Sequence, residues 1–242
     1  MLDMEPAAHP TMPSASAARP TVTVSYAQTL DGRLATRTGS SKWISGPEAL
    51  RFAHELRASH DAIMVGVGTV CRDDPRLTVR LVTGRDPLRV VVDSTLRTPL
   101  TAAVLAGGAA TGTVLAATAQ ASADRYAGAR ALGATVLLLP ADARGRVDLT
   151  ALLATLQERG IQAIMVEGGA ALITALLRAR LVDRLAICVA PKVLGAGIEA
   201  IGDLGIDNLA DALRLREVRL VPVGADFILD GQVTYAEDAD DR

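Results

Sequence analysis

DAIMVGV (61–67) decides the fold. After Asp61 no polar side chain interrupts it, so a strand here has no face for water, the pattern of a strand covered on both sides. LRVVVDS (88–94), TGTVLAAT (111–118), ATVLLLP (134–140) and QAIMVE (162–167) repeat it, and TVTVSYA (21–27) reads as a further strand. Helical patterns at about 121–132, 148–159 and 169–179 separate the later runs. Ser45-Gly46-Pro47-Glu48 opens a helix with proline in its first turn, carrying Leu50, Ala53, His54 and Arg57 on neighbouring turns. Strands alternating with helices predict an α/β fold: a mainly parallel central sheet with helices on both faces. RLAICVAP (184–191) adds a strand, a Gly-rich loop follows through 205, and LRLREVRLVPVG with ADFILDGQVTYA predicts an antiparallel C-terminal pair.

The chain has 242 residues, enough for one large α/β domain or two small ones. No linker or repeat breaks residues 21–236, so they are expected to form one domain, between a disordered tail at 1–20, with its four prolines, and a short acidic tail at 237–242. Only six residues are aromatic and the net charge is −2, which argues against a base-stacking platform and against a global field for nucleic acid or anionic membrane. Of the 25 basic residues only Lys42 and Lys192 are lysines, a weak hint of bidentate anion binding. No apolar run reaches the ~18–20 residues of a membrane span, and the start lacks the basic and apolar regions of a secretory signal. Cys71 and Cys188 read as buried small hydrophobes in a reducing compartment, which places the protein in the cytoplasm. His54 and His60 lie on different helix faces, read as surface or helix-end residues, and form no metal pair; no metal site is expected. Neither a P-loop nor a nucleophile elbow is present, so an enzyme built on this chain would draw its chemistry from a cofactor.

In open α/β sheets, ligands sit at the carboxyl ends of strands, and helix N-termini there attract anions. Three places qualify. Gly66-Val67-Gly68-Thr69 follows a strand, and Glu167-Gly168-Gly169-Ala170 joins a strand to a helix; both are also ordinary turn chemistry. Gly195-Ala196-Gly197-Ile198-Glu199-Ala200 fits a dinucleotide pattern on paper, but it follows a late strand and precedes no helix, so it reads as a loop.

Residues 25–94 concentrate polar groups on loops: Thr29-Leu30-Asp31-Gly32-Arg33, Ser41-Lys42-Trp43-Ile44, Arg57, Gly66-Val67-Gly68-Thr69-Val70, Asp73-Asp74-Pro75-Arg76-Leu77-Thr78-Val79-Arg80 and Val92-Asp93-Ser94. Val166-Glu167-Gly168-Gly169 and Ala190-Pro191-Lys192-Val193-Leu194-Gly195 continue the series. In this order the motifs resemble the reductase domain of riboflavin biosynthesis, the C-terminal half of the bifunctional pyrimidine deaminase–reductase. The resemblance spans about residues 21–235.

The resemblance implies a three-layer dihydrofolate-reductase-like fold, NADPH as cofactor, and a homodimer. It also implies reduction of a phosphorylated ribosylamino-pyrimidine, a small-molecule substrate, to its ribityl form, with hydride passing to C1′ of the opened ribose. By matched position, Ala27, Trp43, Thr69, Asp73, Ser94 and the turn Gly168, Gly169, Ala170, Ala171, Leu172 are expected at the dinucleotide. Ser41, Arg57, Leu77, Arg80 and Glu167 are expected at the substrate, with Arg57 and Arg80 gripping its 5′-phosphate. Asp31 and Glu167 are the catalytic candidates, although Leu-Asp-Gly is also plain turn chemistry. Two departures matter. The deaminase's zinc motif is missing, so a stand-alone reductase is expected. Ser25 stands where bifunctional enzymes carry a lysine near the pyrimidine, which fits members that reduce the diaminopyrimidinone before deamination. A pteridine reductase and a non-catalytic nucleotide-binding protein are the other readings; intact Arg57, Arg80, Glu167 and Thr69 weigh against them.

Overall fold

Runs without polar interruptions become strands whose two faces are both buried. The structure, a computed structural model, describes residues 19–236. Its strands are β1 (Thr21–Thr29), β2 (Arg33–Thr36), β3 (Ala62–Gly66), β4 (Leu88–Val92), β5 (Thr113–Ala117), β6 (Thr135–Leu138), β7 (Ala163–Glu167), β8 (Arg184–Ala190), β9 (Gly197–Glu199), β10 (Arg214–Val223) and β11 (Asp226–Thr234). The helices are α1 (Pro47–Ser59), α2 (Val67–Asp73), α3 (Ala123–Ala131), α4 (Leu149–Glu158) and α5 (Ala170–Arg178). Nine strands form one sheet in the order β10-β11-β8-β1-β7-β3-β4-β5-β6, parallel from β8 to β6, with β11 and β10 joined antiparallel beside β8.

Alternation along each strand divides the core in two. Val22, Val24, Ala62, Met64, Ile164 and Val166 point to one face, where Leu152, Leu153 and Leu156 of α4 and Leu172, Ile173, Leu176 and Leu177 of α5 cover them. Ile63, Val65, Val91 and Leu115 point to the other, against α2, α3 and the 96–110 segment. Leu56 and Phe52 of α1 cover Met165 and Ala186 on that second face. A nine-residue helix such as α5 is marginal alone. Its four buried side chains, each stabilising by about 1.5–3 kcal/mol, hold it on the sheet. The three-layer α/β architecture thus matches the sequence expectation, antiparallel C-terminal pair included.

Some details differ from it. The Gly66-Val67-Gly68-Thr69 turn is the start of α2, held by buried Val67 and Val70. Residues 197–199, within the expected Gly-rich loop, form β9 and pair with β2 as a separate two-stranded sheet. Cys71 is exposed on α2, so only Cys188 is a buried hydrophobe. His54 and His60 are both buried rather than at the surface. Arg19, inside the expected tail, is fixed to Asp183 by two contacts of 2.8 Å. Residues 1–18 and 237–242, which hold the rest of both expected tails, lie outside the described residues. Among the described residues no helix is long and apolar enough to cross a membrane.

Strand β7 feeds α5 on one face, while its neighbour β3 feeds α2 on the other. Their carboxyl ends therefore diverge, which opens a crevice there.

Candidate active site

The crevice has two lobes that share Gly66, Gly68, Ala171 and Leu172. The larger, about 760 Å³, runs from Ser94 at the end of β4 past the 142–148 turn to Arg178 on α5. The smaller, about 480 Å³, is lined by Ala27, Ser41, Arg57, Asp73, Leu77 and Glu167, among others. Thr69 and the Gly168–Leu172 segment line the smaller lobe as well.

The joint between the lobes is formed by Gly66 and Gly68 facing Ala171 and Leu172, and the Gly168-Gly169 turn borders it in the smaller lobe. Gly168 and Gly169 take φ of 75° and 87°, left-handed backbone that a side chain disfavours. A Cβ on Gly169 would stand 3.1 Å from Thr69 Oγ1, so the β7–α5 turn lies directly on the start of α2. α5 begins at Gly169 without a side-chain cap, leaving its first amides toward the crevice for an anion.

Arginines line the larger lobe. Asp142 folds the turn beside it by accepting from the Arg144 and Arg146 amides at 2.8 and 2.9 Å. It also accepts from Arg146 Nε and Nη2 at 3.1 and 3.0 Å. These donors hold its carboxyl below the usual range. Arg97, Arg144, Arg146 and Arg178 all line this lobe. Arg146 is paired with Asp142 and Arg178 with Asp203. Among the described residues the guanidiniums of Arg97 and Arg144 have no hydrogen-bond or ion-pair partner. The Ser94 hydroxyl accepts from the Val147 amide at 3.1 Å and so ties β4 to the turn.

Glu167, at the end of β7, dominates the smaller lobe. Its two oxygens accept from Arg57 Nε and Nη2 at 2.8 and 2.5 Å, and Arg57 Nη1 donates to Thr78 O at 2.9 Å. Arg57, expected at the phosphate, lines the lobe but is buried, and three of its donors serve Glu167 and Thr78, so it orients the carboxylate. Arg80 is exposed beside it, with Nη1 on Thr78 Oγ1 at 2.6 Å and further donors unspent on described side chains. Leu77 has φ 53° and is almost wholly buried, so it shapes the wall more than it offers surface. Ser25 is the register partner of Glu167 on neighbouring β1, which puts the position of the missing lysine beside the carboxylate.

Three expected residues line neither lobe: Arg80, beside the smaller one, Asp31 and Trp43. Asp31 lines neither lobe: it accepts from Thr29 Oγ1 at 2.6 Å and from the Gly195 amide at 2.7 Å, pinning the β8–β9 loop to the β1–β2 turn. These bonds, the Thr29 hydroxyl foremost, lower its pKa to about 2, so it has no proton to donate near neutrality. Trp43 is 81% exposed at φ 68°, and Lys192 Nζ donates to its carbonyl at 2.5 Å; it is not core, and it stands on the loop that brings Ser41 to the smaller lobe. The arginine-lined turn escaped the motif reading, although Arg144-Gly145-Arg146 between a strand and a helix lies where a parallel sheet presents its carboxyl-end loops.

Residues 20–229 match the RibD C-terminal domain family. The chain is 45% identical over 218 residues to the 2,5-diamino-6-ribosylamino-4(3H)-pyrimidinone 5′-phosphate reductase of Methanothermobacter thermautotrophicus, covering 88% of this chain and 97% of that protein. It is 40% identical over 212 residues to riboflavin biosynthesis protein RibD of Aquifex aeolicus, covering 87% of this chain but only 57% of that protein, so it spans little more than half of the longer relative. Acinetobacter baumannii RibD has the same fold in its matching part: TM-score 0.78 at 29% identity, over 90% of this chain and 59% of that one. The chain belongs to the RibD C-terminal domain family, the reductases of riboflavin biosynthesis.

Proposed function

We propose that the crevice binds NADPH along the larger lobe and a phosphorylated ribosylamino-pyrimidine in the smaller, and that the ribosyl chain is reduced to the ribityl form. The observation that carries this is the joint between the lobes. A long anionic cofactor laid on Arg97 and Arg144 would reach, past Gly66 and Gly68, the lobe that Glu167 occupies. The lining fits such a group, with uncommitted guanidiniums for phosphate, uncapped amides at α5 and two glycines, Gly66 and Gly68, on one side of the crossing. Thr69 and Asp73 border the crossing on the α2 side, and Ala27 borders it from β1. Ser94 and Trp43 belong to the same reading, Ser94 beside the arginine turn and Trp43 as a rim residue that meets the cofactor.

When bound, NADPH supplies a hydride to C1′ of the opened ribose, while the nitrogen on C1′ gains a proton. Glu167, oriented by Arg57, has lone pairs left for a substrate hydroxyl or amine. Arg80 meets the 5′-phosphate and Ser41 donates a hydroxyl, while Leu77 limits the wall. With Asp31 outside the crevice, solvent or a substrate group supplies the proton.

Two forms of the pyrimidine fit this reading: the deaminated phosphoribosylaminouracil, and the diaminopyrimidinone taken before deamination. Ser25 beside Glu167 and the likeness to the Methanothermobacter reductase support the second. Following NADPH absorbance with each form, and with dihydrofolate as control, tests the proposal. Oxidation is expected with at least one phosphoribosyl form, and none with either form overturns it. We place the enzyme in the cytoplasm, which suits exposed, unpaired Cys71. We also place a second copy against the β10 edge, where Val218 and Leu220 are exposed.

A further inference from the structure

His54 has no part in the chemistry above, yet it is 1% exposed and directed at the irregular segment beside the substrate lobe. Residues 77–80 belong to no helix or strand, so their backbone groups need partners from elsewhere. Three side chains supply them. Arg57 Nη1 donates to Thr78 O, Asp86 Oδ1 accepts from the Val79 amide at 2.7 Å, and His54 Nδ1 accepts from the Arg80 amide at 2.9 Å. His54 and Arg57 lie one turn apart on α1, so a single helix face grips the segment at both ends.

We propose that neutral His54 is a positioning residue that holds Arg80 toward the substrate phosphate, and that its protonation releases that hold. This rests on the reading that Arg80 meets the phosphate.

The geometry fixes the tautomer. An Nδ1 that accepts an amide proton carries a lone pair, so the ring proton of neutral His54 sits on Nε2, which faces Arg57 Nη1 at 3.4 Å as one donor against another. An imidazolium here would turn a donor toward the Arg80 N–H and add a cation beside two guanidiniums. The charged groups facing the ring are Arg57 on its own helix, Arg80 on the segment and Glu167 on β7. Burial foremost, then Arg57 and Arg80, lowers its pKa below the usual 6.5, against the weaker pull of Glu167.

The test compares His54→Leu, which has no acceptor, with His54→Asn, whose Oδ1 can take the Arg80 amide without titrating. The Leu variant is expected to raise KM for the phosphoribosyl substrate about tenfold, as the half-buried Arg80 amide loses its partner and the segment its anchor, while the NADPH dissociation constant stays within about twofold. The Asn variant is expected to return KM to within about threefold of wild type. On acidification below 6.5 the wild type should lose kcat/KM faster than the Asn variant, since only the wild type has the titrating ring. An unchanged KM in folded His54→Leu, no rescue by Asn, or matching pH profiles would overturn the proposal. Should the Leu variant not fold, the Asn variant and the pH comparison decide. Amide exchange at Arg80 separates this from the functional reading: protection in wild type and Asn supports the staple even if no substrate is reduced, and fast exchange in wild type refutes it.

Discussion

Arg57 and Arg80 carry the same functional group, and what separates them is how many donors the fold has spent. Arg57 spends three donors on Glu167 and Thr78, so Arg57→Ala leaves a half-buried carboxylate without its partner and Thr78 O with only the 3.3 Å contact from Arg80 Nη1. Arg57→Ala should therefore lower kcat/KM at least about 100-fold and lower stability together, read by kinetics and urea unfolding on one preparation. Arg80→Ala should raise substrate KM about 10- to 100-fold, the scale of one lost charge-assisted bond, with NADPH affinity nearly unchanged. Equal losses of both affinities would refute that assignment. Arg97→Ala and Arg144→Ala should each weaken NADPH about tenfold or more and NADH little; titrating the fluorescence of Trp43, the single tryptophan, reads both affinities. At this scale the motifs named most of the residues that share the crevice. They did not show Arg57 turned inward, because a side chain's partners come from strands and loops far away in sequence. Asp31 fell outside because a turn aspartate and a catalytic one look alike until its acceptor capacity is counted.

Elements were legible where burial is two-sided and long. β3, β4, β5 and β7 announce themselves because their central positions are all apolar, with polar residues (Arg89, Thr113, Glu167) only toward the ends. α2 does not, since seven residues opening at two glycines have little helical propensity and form only because Val67 and Val70 are buried. β2 and β9 are short strands with a partner some 160 residues away, and no local pattern encodes that pairing. Between elements, two polar links deserve tests. Arg184 on β8 and Asp230 on β11 form a buried bidentate pair at 2.6 Å. Asp230→Ala should cost about 3–5 kcal/mol by urea unfolding, because a buried bidentate ion pair is broken. His60 at the end of α1 contacts Leu56 O at 2.7 Å and Thr23 Oγ1 at 3.1 Å, joining α1 to β1. Its pKa and that of His54 are lowered from 6.5, by burial first. Below 6.5 the unfolded chain therefore binds more protons than the folded one, and stability falls with pH there while these groups leave it flat above. Urea midpoints at about pH 7.5 and about pH 5.5 should show the fall, and His60→Gln should lessen it.

Over the whole molecule, the parallel sheet does two things at once: it buries both faces of its strands, and it collects at one edge every loop that carries chemistry. Net charge near zero is compatible with anionic ligands because a few arginines meet them locally, and part of the arginine excess now lines the larger lobe. The β10 edge, exposed along most of its length, should be covered by a second copy; sedimentation is expected to give a dimer that Leu220→Lys weakens. Hydride transfer to the ribosyl carbon can be followed by isotope tracing. With NADPH deuterated at the transferring position of its nicotinamide, one deuterium is expected at C1′ of the ribityl product. A reduced product with deuterium on the pyrimidine ring, or with none at C1′, would contradict it.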